Sequence, residues 1–565
     1  MLYEGGFALC VCVIIANTIA LAFYPSLIKN YLYDSKMKQL ALLIENLDST
    51  TKTTEKVNSL LEFFNNSEDA DKIWLIALFT GRRPRRTIKL ANIRLWAAEF
   101  KQIPNWLFEE SYNVVGDLAE TIALLIGAAE IPQYKSLNRW MTELKEVRNL
   151  DEILQKDWLF QAWSILGTRE IFILNKLLTG GFRMGVSEGL LLKALEKHTD
   201  ISKDELALKI TGNWDPYLIT FQDLILSENK DLDLSKPYPF YLAHPIENNP
   251  EEIFPNIENC TFEYKWDGIR GQLISREQAV ALWSRGQDLI NDSFPEIVEV
   301  AAQFCDDVVL DGELVVWDEE MNIPQTFGEL QKRLGRKKVG KVIRNNLPVK
   351  FIVYDILEID KGDIRQKPLE ERRKILQNWY VKLEEEAKQI LFISQSLKVE
   401  DWQCAKKLRL EAKEKQAEGL MLKAKKSHYG IGRKRGDWWK WKLDPETIDA
   451  VLIYAQRGHG RRANLYTDFT FALMKEGELV PFAKAYSGLS NTEIEELNKW
   501  IKDHTRESFG PVRSVDAEQV FEIAFEGVSK SKRHKSGVAV RFPRIVRWRK
   551  DKTINDINSV DDLIK

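Results

Sequence analysis

The sequence predicts a multidomain protein with an all-α module, an α+β domain and a small all-β barrel, in that order. Three observations carry this. From Met37 to about Leu226 apolar residues recur at three- and four-residue spacing, the period of helices with one buried face. A polar, proline-rich stretch, Ser235-Lys-Pro237-Tyr-Pro239 to Asn248-Asn249-Pro250, then interrupts that pattern. Beyond it the apolar runs are short and β-like, and Leu443-Asp444-Pro445-Glu446 separates them into two groups. A chain of 565 residues, 44% apolar and 29% charged, is too long for one core and matches about three to four domain-sized units. The expected modules are 37–235, 236–443 and 444–565, with 1–36 set apart.

Within the helical module, residues 73–79 and the stripe Val114-Val115-Leu118-Ile122-Leu125 are predicted helix. Thr179-Gly180-Gly181 breaks the pattern, and Phe182-Arg183-Met184-Gly185-Val186-Ser187-Glu188 leads into a helix through Leu195, with Ser187 as its cap. In the middle domain, strands are expected at 262–264, 279–283, 308–316, 350–357 and 419–423, with a charged amphipathic helix over 368–389. In the last domain, alternating strands at 450–454, 469–474 and 520–525 fit a barrel, and Phe542 and Val546 read as core residues. No internal repeat is evident.

The net charge of -3 does not advertise an anionic partner, so any such surface must be local. Five basic runs supply candidates: Gly81-Arg82-Arg83-Pro84-Arg85-Arg86, Lys332-Arg333-Leu-Gly-Arg336-Lys337-Lys338, Gly432-Arg433-Lys434-Arg435-Gly436, Arg457-Gly-His-Gly-Arg461-Arg462 and Lys530-Ser-Lys532-Arg533-His-Lys535. One such run is ordinarily a solvated face; five in a near-neutral chain read as a phosphate-contacting track. The five cysteines fit no disulfide framework and lack paired Cys-x-x-Cys spacing, so a reducing compartment and no structural zinc are expected. The first 36 residues are anomalous. Phe7 to Tyr24 is an apolar run of marginal membrane-spanning length, broken by Asn17 and Thr18. Glu4 and the lack of a preceding positive charge argue against a signal peptide. An upstream, mis-assigned start is the favoured reading, with a membrane anchor as the alternative.

Six short segments follow one another in the middle domain. They are Glu263-Tyr-Lys265-Trp-Asp267-Gly268-Ile-Arg270, Ser284-Arg285-Gly286, Leu310-Asp311-Gly312-Glu313, Phe351-Ile-Val-Tyr354-Asp355, Glu418-Gly419-Leu-Met-Leu-Lys423 and Trp439-Lys440-Trp441-Lys442. A seventh, Arg541-Phe-Pro-Arg544-Ile-Val-Arg547-Trp-Arg549-Lys-Asp551-Lys552, lies near the C-terminus. The set and its order resemble the ATP-dependent DNA ligases, within the covalent nucleotidyltransferases that also include RNA ligases and capping enzymes. The resemblance covers roughly Met37 to the end. It implies a helical DNA-binding domain, an adenylation domain and an oligonucleotide-binding (OB) barrel.

Sealing a nick requires the 5′-phosphate to become a good electrophile, and a covalent enzyme–AMP intermediate divides this into easier steps. A lysine amine gives a phosphoramidate that is stable yet easily broken again. It must be neutral to attack, and Lys440, Lys442 and a metal are the candidates for lowering its pKa. By resemblance Lys265 is that nucleophile. Glu263 is expected to accept from the adenine amine and Tyr354 to stack on the ring. Arg270 and Glu313 are expected at the ribose, and Arg285 at a phosphate or the nick. Glu418, then Glu313, are the carboxylates expected on Mg²⁺ or Mn²⁺. Lys440 and Lys442 alternate on a strand and so share a face, where they can neutralise charge growing on the α-phosphate. Ligases of this type often carry Arg where this chain has Lys434, which leaves Arg433, Lys434 and Arg435 as alternatives for the phosphate. Arg547, Arg549, Asp551 and Lys552 match the motif that orients pyrophosphate. Because that motif belongs to the barrel, the resemblance implies closure over ATP and reopening, with 443–446 as the hinge. Arg82, Arg83, Arg85, Arg86 and Arg183 are expected on DNA.

The resemblance implies a monomeric enzyme with ATP and nicked duplex DNA as substrates, in the cytoplasm with the nucleoid, and a role in repair beside an NAD⁺-dependent replicative ligase. An RNA ligase or capping-type enzyme is the nearest rival, and the helical module argues against it. An NAD⁺-dependent ligase would carry cysteine zinc ligands. A catalytically inactive DNA-binding or membrane-tethered protein would not need Lys265, Glu418, Lys440 and Lys442 together.

Overall fold

The computed structural model describes residues 36–563, leaving out 85, 134, 181, 183–184, 228–233, 248, 335, 337–338, 459–464 and 532–533. The expectations about the apolar N-terminal segment, and those for Arg85 and Arg183, lie outside the described residues. No helix among the described residues is long and apolar enough to cross a membrane. The chain divides into two compact units that do not follow sequence order. One comprises Met1–Asp200, Pro216–Gln222 and Glu446–Lys565, the other Ile201–Asp215 and Asp223–Pro445.

The first unit opens with helices α1 (Lys36–Ser49), α2 (Thr53–Asn66), α3 (Asp69–Phe79), α4 (Leu90–Phe100), α5 (Asn105–Val115), α6 (Leu118–Ile126), α7 (Leu137–Val147), α8 (Glu152–Ile165), α9 (Thr168–Thr179) and α10 (Glu188–Thr199). The stripe from Val114 to Leu125 is two helices, not one. Gly116 sits at φ 81°, which ends α5, and the Asp117 side chain accepts from Glu120 N to start α6. Ser187 stands at the N-cap of α10 as expected, but its side chain makes no capping hydrogen bond.

The second unit contains α11 (Lys203–Ile210) and the strands β1 (Tyr241–Leu242), β2 (His244–Pro245), β3 (Cys260–Trp266), β4 (Ile269–Arg276), β5 (Ala279–Ser284), β6 (Val308–Asp318), β7 (Ile323–Pro324), β8 (Val349–Ile359), β9 (Gly362–Asp363), β10 (Leu391–Ile393), β11 (Ala417–Ala424), β12 (Gly432–Arg433) and β13 (Trp438–Lys442). Leu208 of α11 packs against a buried cluster that includes Tyr238, Ile274 and Trp283, which ties this helix to the strands. Between the strands lie α12 (Leu369–Val381), α13 (Glu385–Ile390) and α14 (Trp402–Glu411). The helix expected over 368–389 is thus two helices. One sheet has the order β10-β8-β6-β4-β5, with β7 and β9 at its margins; a second has the order β2-β13-β11-β3. The first sheet buries Leu273, Leu310, Leu314, Phe351 and Val353 against helical residues such as Leu376 and Trp379.

The rest of the first unit is the barrel: β14 (Glu446–Arg457), β15 (Tyr466–Lys475), β16 (Glu478–Ala485), α15 (Asn491–Asp503), β17 (Thr505–Phe509), β18 (Val512–Val515), β19 (Val520–Phe525), β20 (Val528–Lys530), β21 (Val538–Val540) and β22 (Arg544–Trp548). Strand order β16-β15-β14-β18-β17 is extended by β19, which pairs with β14 and β22. Its core includes Ile448, Leu452, Phe471, Phe521, Ile523 and Ile545. Phe542 and Val546 are not core residues; they are 58% and 46% exposed. Ile545 takes the inward position on β22, which turns its neighbour Val546 outward, and Phe542 precedes the strand at φ 53°.

Candidate active site

The second sheet has two chemically opposite faces, and strand alternation makes them. Phe262, Leu420, Leu422, Trp439 and Trp441 share one apolar cluster with Ala405 of α14. The intervening residues are Glu263 and Lys265 on β3, Met421 and Lys423 on β11, and Lys440 and Lys442 on β13. Register sets them side by side: Met421 lies opposite Glu263 on one flank and Lys440 on the other, while Lys442 lies opposite Gly419.

Glu418 sits where the β11–β3 register shifts, between Ala417 and Leu420. Such irregularities re-aim a side chain. Gly419 adopts φ 132°, and a Cβ there would come within 2.3 Å of Trp441 O, so only glycine fits. The re-aimed Glu418 Oε2 accepts from Lys265 Nζ at 2.5 Å and pairs with Lys442 Nζ at 3.3 Å. Gly268 has a comparable reason to be glycine in the β3–β4 turn: a Cβ would meet Leu314 O at 2.2 Å. Burial lowers the Lys440 pKa, helped by the positive charges of Lys442, Lys265 and Arg433 and opposed by Glu418. Three lysines therefore surround one carboxylate, and an anion placed among them meets surplus positive charge.

Facing this cluster are residues of the first sheet. Arg270 on β4 makes a bidentate pair with Asp311 on β6, with Nε–Oδ1 at 3.1 Å and Nη2–Oδ2 at 2.6 Å. It also donates to Tyr241 O at 2.6 Å, and its guanidinium lies 5.6 Å from the Tyr354 ring centre. Burial opposes its charge, yet Asp311, with Tyr354 and Tyr429, more than offsets this and raises its pKa. Glu313 is the register partner of Arg270. Burial pushes its carboxyl up to about 7; Lys265 and Arg270 pull the value down, while Glu418 and Asp311 push it further up.

Glu263 is buried and accepts from Lys423 Nζ at 3.2 Å on both oxygens, from Arg373 Nη1 at 3.4 Å and from Ser394 Oγ at 2.9 Å. These donors fill about the four acceptor sites that a carboxylate offers. Lys423 Nζ lies 4.4 Å from the Tyr354 ring centre, so Glu263 and Tyr354 belong to one arrangement. Asp355 is buried in a bidentate pair with Arg372, Nε–Oδ1 2.9 Å and Nη2–Oδ2 2.8 Å. Arg372, Arg373, Ser394 and Tyr429 carried no sequence signal, since only the fold brings them to the motifs.

Of the three alternatives at 433–435, Arg433 acts on Lys440, Lys434 pairs with Asp204 at 3.7 Å, and Arg435 lies 5.8 Å from the Trp439 ring centre. Arg285 is exposed; its backbone N–H donates to Arg270 O at 3.0 Å, and among the described residues its guanidinium has no partner.

The C-terminal block is arranged differently. Arg547 Nε pairs with Glu522 Oε2 at 2.6 Å, and Arg549 pairs with Asp551 at 2.9 and 2.7 Å. Arg549 Nη1 also reaches both oxygens of Asp449 at 3.3 Å, and Lys552 Nζ reaches Asp449 Oδ2 at 2.6 Å. In the helical region the basic run after α3 comes beside the segment between α9 and α10. Arg86 lies beside Gly180, Lys56 Nζ donates to Gly185 O at 3.0 Å, and Glu188 acts on Arg82, whose pKa burial lowers to about 10. Arg83 lies in the same loop after α3. Arg333 departs from the expected phosphate track: it is fully buried, donating to Ser293 O and Leu347 O and pairing with Glu296. A structural role consumes its donors. Arg457 likewise donates to Val114 O at 2.6 Å.

Comparison with known proteins agrees with this geometry. The family description "DNA ligase N terminus" matches residues 36–196, "ATP dependent DNA ligase domain" matches 240–442, and "ATP dependent DNA ligase C terminal region" matches 462–552. A "Probable DNA ligase" of Koribacter versatilis (strain Ellin345) is 30% identical, over 93% of this chain and 95% of its own. "DNA ligase 2" of Methanosarcina acetivorans is 26% identical, over 92% of this chain and 95% of its own. A solved structure described as "Pmar-Lig_Pre." shares the fold with a TM-score of 0.59 at 17% identity, covering 90% of this chain and 99% of that one. A lysine-rich anion site at the meeting of two sheets, with a helical region before it and a barrel after it, fits the family that all three modules match: the chain belongs to the ATP-dependent DNA ligases.

Proposed function

We propose that this enzyme seals 3′-OH/5′-phosphate nicks in duplex DNA through AMP carried on Lys265. The observation that carries the reading is the contact of Lys265 Nζ with Glu418, beside Lys440 and Lys442 on one strand face. Lys265 loses a proton to solvent, and its neutral amine attacks the α-phosphorus of ATP. The P–N bond forms as the bond to the bridging oxygen breaks, and pyrophosphate leaves with that electron pair. The 5′-phosphate of the nick then takes the AMP and frees Lys265. The 3′-OH finally displaces AMP to join the strand. Lys440 and Lys442 hold the negative charge that builds on the α-phosphate in the first two steps.

Glu263 with Tyr354 serves the adenine, Arg270 and Glu313 the ribose side, and Arg285 with Arg433 the phosphates or the nick. Lys423, Arg373 and Ser394 already fill the acceptor sites of Glu263, so one of these donors has to yield before this carboxylate accepts from the adenine amine. Glu418 and Glu313 suit a hard divalent cation such as Mg²⁺. Both supply oxygen, and Glu418 contributes to the raised Glu313 pKa, as expected of carboxylates that share a site. Among the described residues no group of three His, Cys, Asp or Glu could hold a metal, so phosphate and water oxygens would complete the shell. The ion would neutralise phosphate charge. The basic residues of 82–86 and the segment 180–188 grip duplex phosphates, and the C-terminal block orients pyrophosphate. A repair role is the cellular reading we favour.

The test is label transfer from [α-³²P]ATP to the whole chain. An acid-labile, base-stable adduct that Lys265→Ala abolishes, and that NAD⁺ cannot replace, is expected. Label uptake by Lys265→Ala would overturn the assignment.

A further inference from the structure

Asp449, in the fourth residue pair of the β14–β19 ladder, lies about a hundred residues away in sequence from the C-terminal block, and no motif includes it. Its side chain is largely buried, and its carboxylate binds Lys552 Nζ at 2.6 Å and Arg549 Nη1 at 3.3 Å. Its backbone is fixed separately: Asp449 N donates to Asn558 Oδ1 at 2.9 Å, and Asn558 N donates to Asp449 O at 3.0 Å. The carboxylate therefore stands on a rigid strand and reaches across to a turn, where Lys552 N donates to Arg549 O at 3.0 Å.

The four side chains form a row of alternating charge: Asp551, Arg549, Asp449, Lys552. In this row Arg549 is committed on both sides, to Asp551 through Nε and Nη2 and to Asp449 through Nη1. Lys552 is not. Among the described residues it gives one of its three N–H donors, to Asp449, and remains 28% exposed. An incoming anion thus finds free donors on Lys552, while Arg549 braces the carboxylate that aims it. As a source of stability such a largely buried ion pair is weak, because desolvation offsets much of the attraction. Its firm effect is positional: a flexible lysine stem is confined to one place.

We propose that Asp449 is a positioning residue for self-adenylation, holding Lys552 as the preformed cation that receives the pyrophosphate leaving group. This rests on the reading of the C-terminal block given above. In the reaction no proton or bond passes through Asp449; it orders Lys552 before ATP arrives, so that none of the leaving-group stabilisation is lost to side-chain ordering.

The experiment compares wild type, Asp449→Ala, Asp449→Asn, Lys552→Ala and the Asp449→Ala/Lys552→Ala pair in the full chain. Two rates are read: label uptake from [α-³²P]ATP and sealing of a pre-adenylated nick, with thermal unfolding as a control. Asp449→Ala should reduce the ratio of the first rate to the second by roughly tenfold or more, and Asp449→Asn, which keeps one acceptor for Lys552, by less. In the Lys552→Ala background Asp449→Ala should add almost nothing to the loss, the non-additivity expected of residues acting as a unit. Additive losses, an equal fall in both rates, or a normal ratio in Asp449→Ala while Lys552→Ala is slow would overturn the role of Asp449. A normal ratio in Lys552→Ala would instead remove the pyrophosphate reading itself, and the inference with it.

Discussion

The candidate active site and the C-terminal block are both rich in cations, and they treat them in opposite ways. Around Glu418 stand Lys265, Lys440 and Lys442, and Arg433 acts on the same cluster, so one carboxylate is shared among several cations. In the block, Arg544 pairs with Glu526, Arg547 with Glu522, Arg549 with Asp551, Lys550 with Glu496 and Lys552 with Asp449. Under the proposed function, surplus charge suits a place that must hold a nucleotide anion through two chemical steps. Neutralised charge suits one that meets an anion briefly and must release it. Charge counting by sequence cannot distinguish the two, because it sees the lysines and arginines but not the carboxylates that fold onto them.

Removing charge from each place sharpens the contrast. Lys440→Ala should slow both self-adenylation and transfer of AMP to the nick by about a hundredfold or more, since the α-phosphate is the reacting centre in both. Rapid-quench rates for the two steps check this; an effect on one step alone would break the idea of a single shared anion site. Asp551→Ala/Lys552→Ala should slow self-adenylation by a factor approaching ~100 while a pre-adenylated nick is sealed at near the wild-type rate. Equal losses on both substrates would reduce the block to a brace of the barrel.

Glu313 gives a pH-dependent test of the crowded site. Its pKa in the folded protein, about 7, lies above the ordinary 4.5, so ionising it costs stability. That cost is absent below pH 4.5, grows through the interval and is complete above about 7. Glu313→Gln should therefore resist denaturant better than wild type at pH 8, by on the order of 2 kcal/mol, with the difference vanishing toward pH 4.5. An unchanged difference across that range would show that another property of the substitution is responsible. The smallest effect is expected at Arg547, whose side chain is 62% exposed beside Glu522. Arg547→Ala should change stability by less than about 0.5 kcal/mol in urea unfolding.

Much of the candidate site's geometry was legible because its residues sit in short runs, where strand alternation alone assigns faces. Lys440 with Lys442, and Glu263 with Lys265, follow from spacing two apart. The order of helical region, sheet domain and barrel was legible for the same reason, since each has its own period. What was not legible depends on distant segments meeting. Arg372 and Arg373 lie on α12 and read as an ordinary charged helix, yet one clamps Asp355 and the other Glu263. Asp449 lies just before the strand expected at 450–454 and belongs to none of the motifs. Phe542 and Val546 show a different limit: apolar composition marks a strand but does not fix which parity faces inward, and Ile545 took that place. Arg333 shows the reverse, a basic run whose second residue is wholly inside.

The two-faced second sheet has an evolutionary consequence. Chemistry and adhesion are written on alternate letters of the same strands, so each can drift without disturbing the other. Volume-conserving apolar exchanges at Trp439, Trp441, Leu420 and Leu422 leave Lys440, Lys442 and Lys423 on the opposite face. A one-residue slip, by contrast, would trade the two texts at once, turning the lysines toward α14 and the tryptophans to the face the lysines now hold. Gly419, which no side chain can replace against Trp441 O, acts as the reading frame of that script.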